Sequence, residues 1–260
     1  MEPFSCDKPF IGMIHLDALP GSYGYAGDGL AKIIDRGLSD LEVLQTGGVD
    51  GVIIENFGDA PFPKYAPKET IAAMSIVVRE IARAAGVPFG LNVLRNDGFA
   101  ALGIAAITGA TFVRVNVFCG VAFTDQGMIE GNARDLLVMR KRLGCDVKIF
   151  ADVHVKHAAH LTTIEESVLD ADRNGADSFI ISGIGTGKRT PPDQLAKVKQ
   201  ASSKPVFVGS GVRIDNLSTY RLANGFIVGT ALKREGKVDG PLELDRVRAM
   251  ADAISGLRAQ

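Results

Sequence analysis

Residues 10–55 read FIGMIHLDALPGSYGYAGDGLAKIIDRGLSDLEVLQTGGVDGVIIE. Phe10 to Leu16 is apolar apart from His15, which predicts a buried strand with one polar group near its end. The loop DALPGSYGYAG, rich in Gly and Pro, follows. Asp28 is placed to cap a helix running to about Gln45, in which Ile33, Ile34, Leu38, Leu41 and Leu44 recur at helical spacing. Gly47-Gly48 stops that helix, and Gly51 to Glu55 forms a second strand. Both strands are almost continuously hydrophobic, as parallel strands buried on both faces must be.

The same strand–helix unit recurs to the end of the chain. Further strands are read at Phe89 to Leu94, Phe112 to Val117, Lys148 to Val153, Ser178 to Ser182, Pro205 to Gly209 and Gly225 to Gly229. Helices are read between them, near 68–85, from Asp97, up to Leu143, and near 164–174, 192–201, 215–222 and 242–257. Phe118 to Glu130 reads as a loop entering the fourth helix. Eight such units in one chain predict an α/β protein with a single (β/α)8 barrel domain over 1–260. In that fold the chemistry sits at the carboxyl ends of the strands.

Composition narrows the function. With 46% hydrophobic residues, the 260-residue chain can fill a barrel. A formal net charge of -1 argues against a nucleic acid polymer as partner. Cys6, Cys119 and Cys145 form no C-x-x-C pair, which fits a reducing, cytoplasmic setting. The opening MEPFSCDKPF does not read as a secretory signal, and no apolar run is long enough for a transmembrane helix. A homo-oligomer is the default expectation for a barrel of this kind.

The strand ends supply the candidate site. Strand seven ends in Gly209-Ser210-Gly211 and strand eight in Gly229-Thr230. Paired glycine turns at these two strands bind phosphate in many barrels, because backbone N–H groups converge on an anion there. Alternatively, the glycines only terminate strands. On strand five, alternation places Asp152 and His154 on one face, pointing into the mouth as an acid–base pair, with Lys156 continuing the row. Lys156 can neutralise a developing charge, hold a phosphate or form a Schiff base. A structural ion-pair cluster is the alternative. Arg114 faces either Asp152 or a substrate anion, and Asn116 and Asn92 join the same network as substrate-binding groups. His15 and Glu55 complete the catalytic candidates.

No cofactor is expected. A divalent metal is the lesser reading: His15, Asp17, Glu55, Asp152 and His154 are suitable ligands, but no H-x-H or H-E-x-x-H spacing is present. Cys119 reads as inert packing, and His157 and His160 as residues of the following loop or helix surface. The basic, glycine-rich segment Gly183 to Thr190 lacks P-loop spacing and reads either as a lid over an anion or as a solvent loop.

Several stretches resemble the BtpA/SgcQ family. They are Gly12 to Leu16 with Leu19-Pro20-Gly21-Ser22, Gly48 to Gly51 with Glu55 to Asp59 and Pro61-Phe62, Arg114 to Asn116, and above all Ala151 to Ala158, ADVHVKHA. The resemblance runs from about Pro9 to the last helix; Tyr23 departs from it, where proline is expected. It implies a TIM barrel similar to phosphate-binding barrels. It also implies one of two roles. One is a photosystem I biogenesis or stability factor peripheral to a membrane. The other is a sugar- or nucleoside-related enzyme. The strand-end residues themselves fit an enzyme on a phosphorylated sugar or nucleotide, of isomerase, lyase or nucleosidase type. A sensor that binds such a metabolite without turning it over is a third alternative.

Overall fold

The computed structural model describes residues 2–183, 185, 189–209 and 211–259. Eight parallel strands close into a barrel: β1 (Phe10–His15), β2 (Gly51–Glu55), β3 (Phe89–Asn92), β4 (Phe112–Val115), β7 (Lys148–Val153), β9 (Ser178–Ile181), β10 (Val206–Val208) and β11 (Gly225–Val228). Outside lie α1 (Leu30–Thr46), α2 (Lys68–Ala84), α3 (Gly98–Thr108), α4 (Ala133–Leu143), α5 (Ile164–Arg173), α6 (Pro192–Ala201) and α7 (Leu244–Arg258). A 3-10 segment, Ile214–Tyr220, connects β10 to β11. The expected (β/α)8 barrel is therefore the fold.

Two apolar layers hold it together. Val, Ile, Leu and Ala side chains from the outer strand faces pack against the helices. Inside, Ile11, Met13, Ile53, Phe112, Phe150, Ile180, Phe207 and Ile227 fill the barrel, and Phe4 plugs its lower end. Phe112 stacks on Phe150 with ring centroids 4.7 Å apart, and Phe150 lies 4.9 Å from Phe207. Gly90 and Gly225 make room for these rings. A Cβ at Gly90 would lie 2.3 Å from the Phe112 ring, and one at Gly225 2.4 Å from Phe207. Such layered filling leaves no pore and confines polar groups to the upper end.

Four local expectations change. β4 stops at Val115 because Asn96 captures the next backbone pair, its Oδ1 accepting from Val117 N and its Nδ2 donating to Val117 O. Phe118 to Glu130 is not all loop: β5 (Val121–Thr124) and β6 (Gly127–Glu130) form a hairpin, joined by β8 (Ala158–His160) in an antiparallel sheet. Val117, Ala122, Ile129 and Val155 form its buried core. The seventh helix is only the 3-10 segment, because the Asn216 side chain ties back to Arg213 N and Gly211 O. Asp28 does not cap α1; Gly29 holds that position at φ 84, and Asp28 pairs with Lys32. The apolar run Ala100 to Val113 resolves into α3 and β4, and no helix among the described residues is long and apolar enough to cross a membrane.

Candidate functional site

Above the apolar filling, the inward-facing row of side chains turns polar. Register places His15 beside Glu55, and Glu55 beside Asn92, on three adjacent strands. Arg114 grips Asp152 from the neighbouring strand, with Nε 3.0 Å from Oδ1 and Nη2 3.0 Å from Oδ2. Asn116 Nδ2 adds a 2.6 Å hydrogen bond to Asp152 Oδ2, and Asn92 Nδ2 donates to Asn116 Oδ1. Burial opposes the charge on Arg114, but Asp152 and then Glu55 outweigh it, so the guanidinium pKa is raised. Arg114, Asn116, Asn92 and Asp152 therefore form one network. Asp152 has its carboxylate fully committed inside it, at the side of the mouth.

His15 sits in a second constellation. Its ring stacks on Phe57 with centroids 4.7 Å apart, and its Nδ1 lies 3.0 Å from Lys233 Nζ. Burial first, then Lys233, Lys156 and Arg114, push its pKa well below the usual histidine value. The ring is therefore neutral. It accepts a hydrogen bond from the Lys233 ammonium at Nδ1, which leaves its proton on Nε2. Nε2 faces Glu55 Oε1 at 3.7 Å, a contact too long for a hydrogen bond and, with a neutral ring, not an ion pair. Glu55 is itself buried, and desolvation raises its pKa despite Lys156, Arg114 and Arg95 nearby. Lys233, the neutral ring and Glu55 thus stand in a row, with the ring hydrogen-bonded to Lys233 alone.

A cavity of about 930 Å³ links this mouth to the glycine turns. His15, Glu55, Arg114 and Lys156 line one side; Gly209, Gly211, Gly229 and Thr230 line another. Burial and then Arg114 lower the Lys156 ammonium pKa, while Glu55 and Asp152 partly restore it. Packing explains Gly209 and crowds Gly229. A Cβ at Gly209 would lie 2.7 Å from Ile180 Cγ2, and one at Gly229 would lie 3.2 Å from Met13 Cγ and 3.3 Å from His15 Cε1. Gly211, at φ 65, is required by the turn. Ser210 and much of the basic glycine-rich segment (184 and 186–188) lie outside the described residues.

His154 is not where strand alternation puts it. β7 ends at Val153, and His154 takes a positive φ of 54, which rotates its side chain out of the inward row. The ring stacks on His160 of β8, with centroids 4.4 Å apart and planes inclined by 7°. His154 is not among the described residues lining the cavity, whereas Lys156 is. His160 is a strand residue of the small sheet, and its Nε2 lies 3.1 Å from Val155 O. Among the described residues, no three His, Cys, Asp or Glu side chains converge as a metal site needs.

Cys119 is half-buried against Asp170 O, and burial pushes its thiol up to about 11. With so little thiolate, alkylation of Cys119 by iodoacetamide at pH 8 is expected to run about a hundred-fold slower than for an ordinary thiol. Peptide mapping of native against urea-unfolded protein checks this; equal rates would contradict it.

Two residues of this region escape a strand-end search, and a third does not. Lys233 lies beyond β11, between two short 3-10 turns, and is buried. Arg95 follows β3 and donates from Nη2 to Lys156 O at 2.8 Å, fixing the backbone that carries this lysine. Ser182, just past β9, carries a buried Oγ without a hydrogen-bond partner among the described residues, and Asn92 Oδ1 is likewise buried without one. Ser182 stood at a strand end and was findable; Lys233 and Arg95 depend on how their loops fold back.

A closed parallel barrel with a charged mouth and a cavity running to the last two strand ends defines the class as a (β/α)8 barrel of TIM type. The thiamine phosphate pyrophosphorylase of Pyrococcus furiosus is similar in fold, with a TM-score of 0.60 at 14% identity over 96% of each chain. The chain belongs to the BtpA family, whose model matches residues 6–256. It is 49% identical to protein TK2179 of Thermococcus kodakarensis, over 96% of this chain and 97% of the relative. It is 43% identical to the photosystem I biogenesis protein BtpA of Synechocystis, over 100% and 92%.

Proposed function

We propose that this BtpA-family barrel is an enzyme that carries out acid–base chemistry on a phosphorylated small molecule. One observation carries the reading: a single cavity joins His15, Glu55 and Lys156 to the glycine turns and Thr230. The turns would take the phosphate through backbone N–H groups and the Thr230 hydroxyl. The reacting end would lie against Glu55 and Lys156, with Arg114 and Asn92 positioning it. Glu55 is the proton donor and acceptor of choice, because its raised pKa brings it towards neutrality. Asp152 acts through Arg114 and Asn116, as a positioning residue. The likeness to a barrel whose name includes a phosphate ester supports the ligand class by analogy of fold alone.

The test is thermal stability with phosphorylated sugars and nucleotides, against their unphosphorylated forms. A ligand at 100 times its Kd adds about 2.7 kcal/mol of stability. Gly209 is a poor position to probe, because a side chain there would meet Ile180, and one at Gly229 would crowd Met13 and His15. Thr230→Val is better: loss of one hydrogen bond to a charged group costs about 1.5–3 kcal/mol, so binding should weaken about ten-fold or more. A shift that does not need the phosphate, or that survives Thr230→Val unchanged, would remove the anion from these turns.

A second reading, a partner-binding assembly factor, has one structural support. Phe123 and Met128 face each other across β5 and β6 on the outer face of the small sheet, both exposed, and exposed Leu161 follows directly on β8. The name of the Synechocystis relative fits that role. No stabilisation by any metabolite would favour it.

A further inference from the structure

Two lysines stand at the mouth, Lys233 buried and Lys156 half-buried, and they differ in what holds them. Lys233 Nζ is engaged by His15 Nδ1 and by Val238 O. Lys156 Nζ makes no hydrogen bond or ion pair with any described residue, although Glu55 and Asp152 lie within electrostatic reach. Its backbone is anchored from the carbonyl side by Arg95. Its side chain lines the cavity between the glycine turns and Glu55. A lysine nitrogen without a partner among the described residues, rigidly mounted and set beside guanidinium groups at the wall of a cavity, is the arrangement that turns an ammonium into a nucleophile.

We propose that Lys156 is an imine-forming lysine, and that the cavity takes a phosphorylated aldehyde or ketone whose carbonyl carbon is brought to Lys156 Nζ. This deepens the phosphate-binding reading above and rests on it. The lone pair of the neutral amine attacks the carbonyl carbon. The C=O π pair moves to oxygen, which takes a proton from nitrogen, giving a carbinolamine. Glu55 in its acid form protonates that hydroxyl, which leaves as water while the nitrogen lone pair closes the C=N bond. The products are one protonated imine, one water and the Glu55 carboxylate, so atoms and charge balance. The protonated imine then serves as the electron sink for loss of an adjacent proton or cleavage of an adjacent C–C bond. Both belong to isomerase or lyase chemistry.

Burial and the neighbouring guanidinium favour the free amine, because both lower the Lys156 pKa from its ordinary value. Arginine at this position would keep the positive charge but could not form the imine, which separates this role from plain anion binding.

The experiment uses the whole chain with ribose 5-phosphate and with dihydroxyacetone phosphate, each with and without sodium borohydride, followed by peptide mapping. Borohydride reduces the imine to a stable secondary amine. The expected result is an adduct on Lys156 enriched about ten-fold or more over exposed lysines, suppressed by excess inorganic phosphate. Lys156→Arg should lose the adduct and keep the thermal shift given by the same sugar phosphate. Should that variant fail to fold, the map of the unaltered protein still decides. A sugar phosphate that stabilises the protein without a trapped adduct at Lys156 overturns the imine and leaves the phosphate site standing. Absence of stabilisation by any phosphorylated carbonyl compound overturns both.

Discussion

Asp152→Ala is expected to cost about 3–5 kcal/mol of stability. The reason is what it leaves behind. The Arg114 and Asp152 side chains are 3% and 0% exposed, so neither charge is solvated from outside. Three hydrogen bonds from Arg114, two from Nε and one from Nη2, and a fourth from Asn116 end on this carboxylate. Deleting it strands a guanidinium inside the barrel and removes the acceptor of the Asn116 amide. Urea unfolding should show a lower midpoint at an unchanged slope. Replacing both partners by apolar residues, as Arg114→Met with Asp152→Leu, should recover most of the loss, since a buried pair exchanged for hydrocarbon is often neutral. A cost below about 1 kcal/mol for Asp152→Ala would mean that the pair does not hold the mouth together. The double variant also separates roles: if Arg114 positions the ligand, it folds and shows no shift with sugar phosphates.

The alternation of strand and helix was legible because it rests on local hydrophobic periodicity, and the barrel follows from repeating it. The polar row was legible in part for the same reason. His15, Glu55, Asn92, Arg114 and Asp152 are strand residues whose inward direction is fixed by the period of two. His154 shows where that logic ends. One positive φ at the strand terminus cancels the alternation, and its ring stacks on a histidine six residues later. The hairpin of β5 and β6 was missed because its apolar alternation is only four residues per strand, with Asp125-Gln126 at the turn. Lys233 and Arg95 lie in segments without periodicity, and only folding brings them to His15 and Lys156. The glycine turns illustrate a different limit. Their spacing was readable, but Gly209 is required by close packing against Ile180 and Gly229 is crowded by Met13 and His15, so glycine there says less about an anion than it first implies.

Glu55→Gln is expected to move stability and chemistry in opposite directions. Burial raises the Glu55 pKa, so the folded protein holds this proton more tightly than the unfolded chain. Its contribution is then fully present below the ordinary carboxyl value of 4.5 and is lost as pH rises through the folded value. Glutamine mimics the protonated form at every pH. The variant should therefore match the parent in acid and melt higher at neutral pH. His15 runs the other way. Its depressed pKa makes stability present above the ordinary 6.5 and lost as pH falls below it, in parent and variant alike, so the difference between the two curves isolates Glu55. Chemistry should suffer, because glutamine cannot give up a proton. Removing a general acid costs about 10²–10⁴-fold, read as the rate of borohydride-trapped adduct at Lys156. A variant more stable at neutral pH yet slow to form the adduct would mark Glu55 as a charge held at the mouth for its reactivity, against the interest of the fold. Equal melting temperatures across the pH range would show instead that Lys156 and Arg114 already compensate the carboxylate. An unchanged adduct rate would pass the proton-donor role to another group at the mouth.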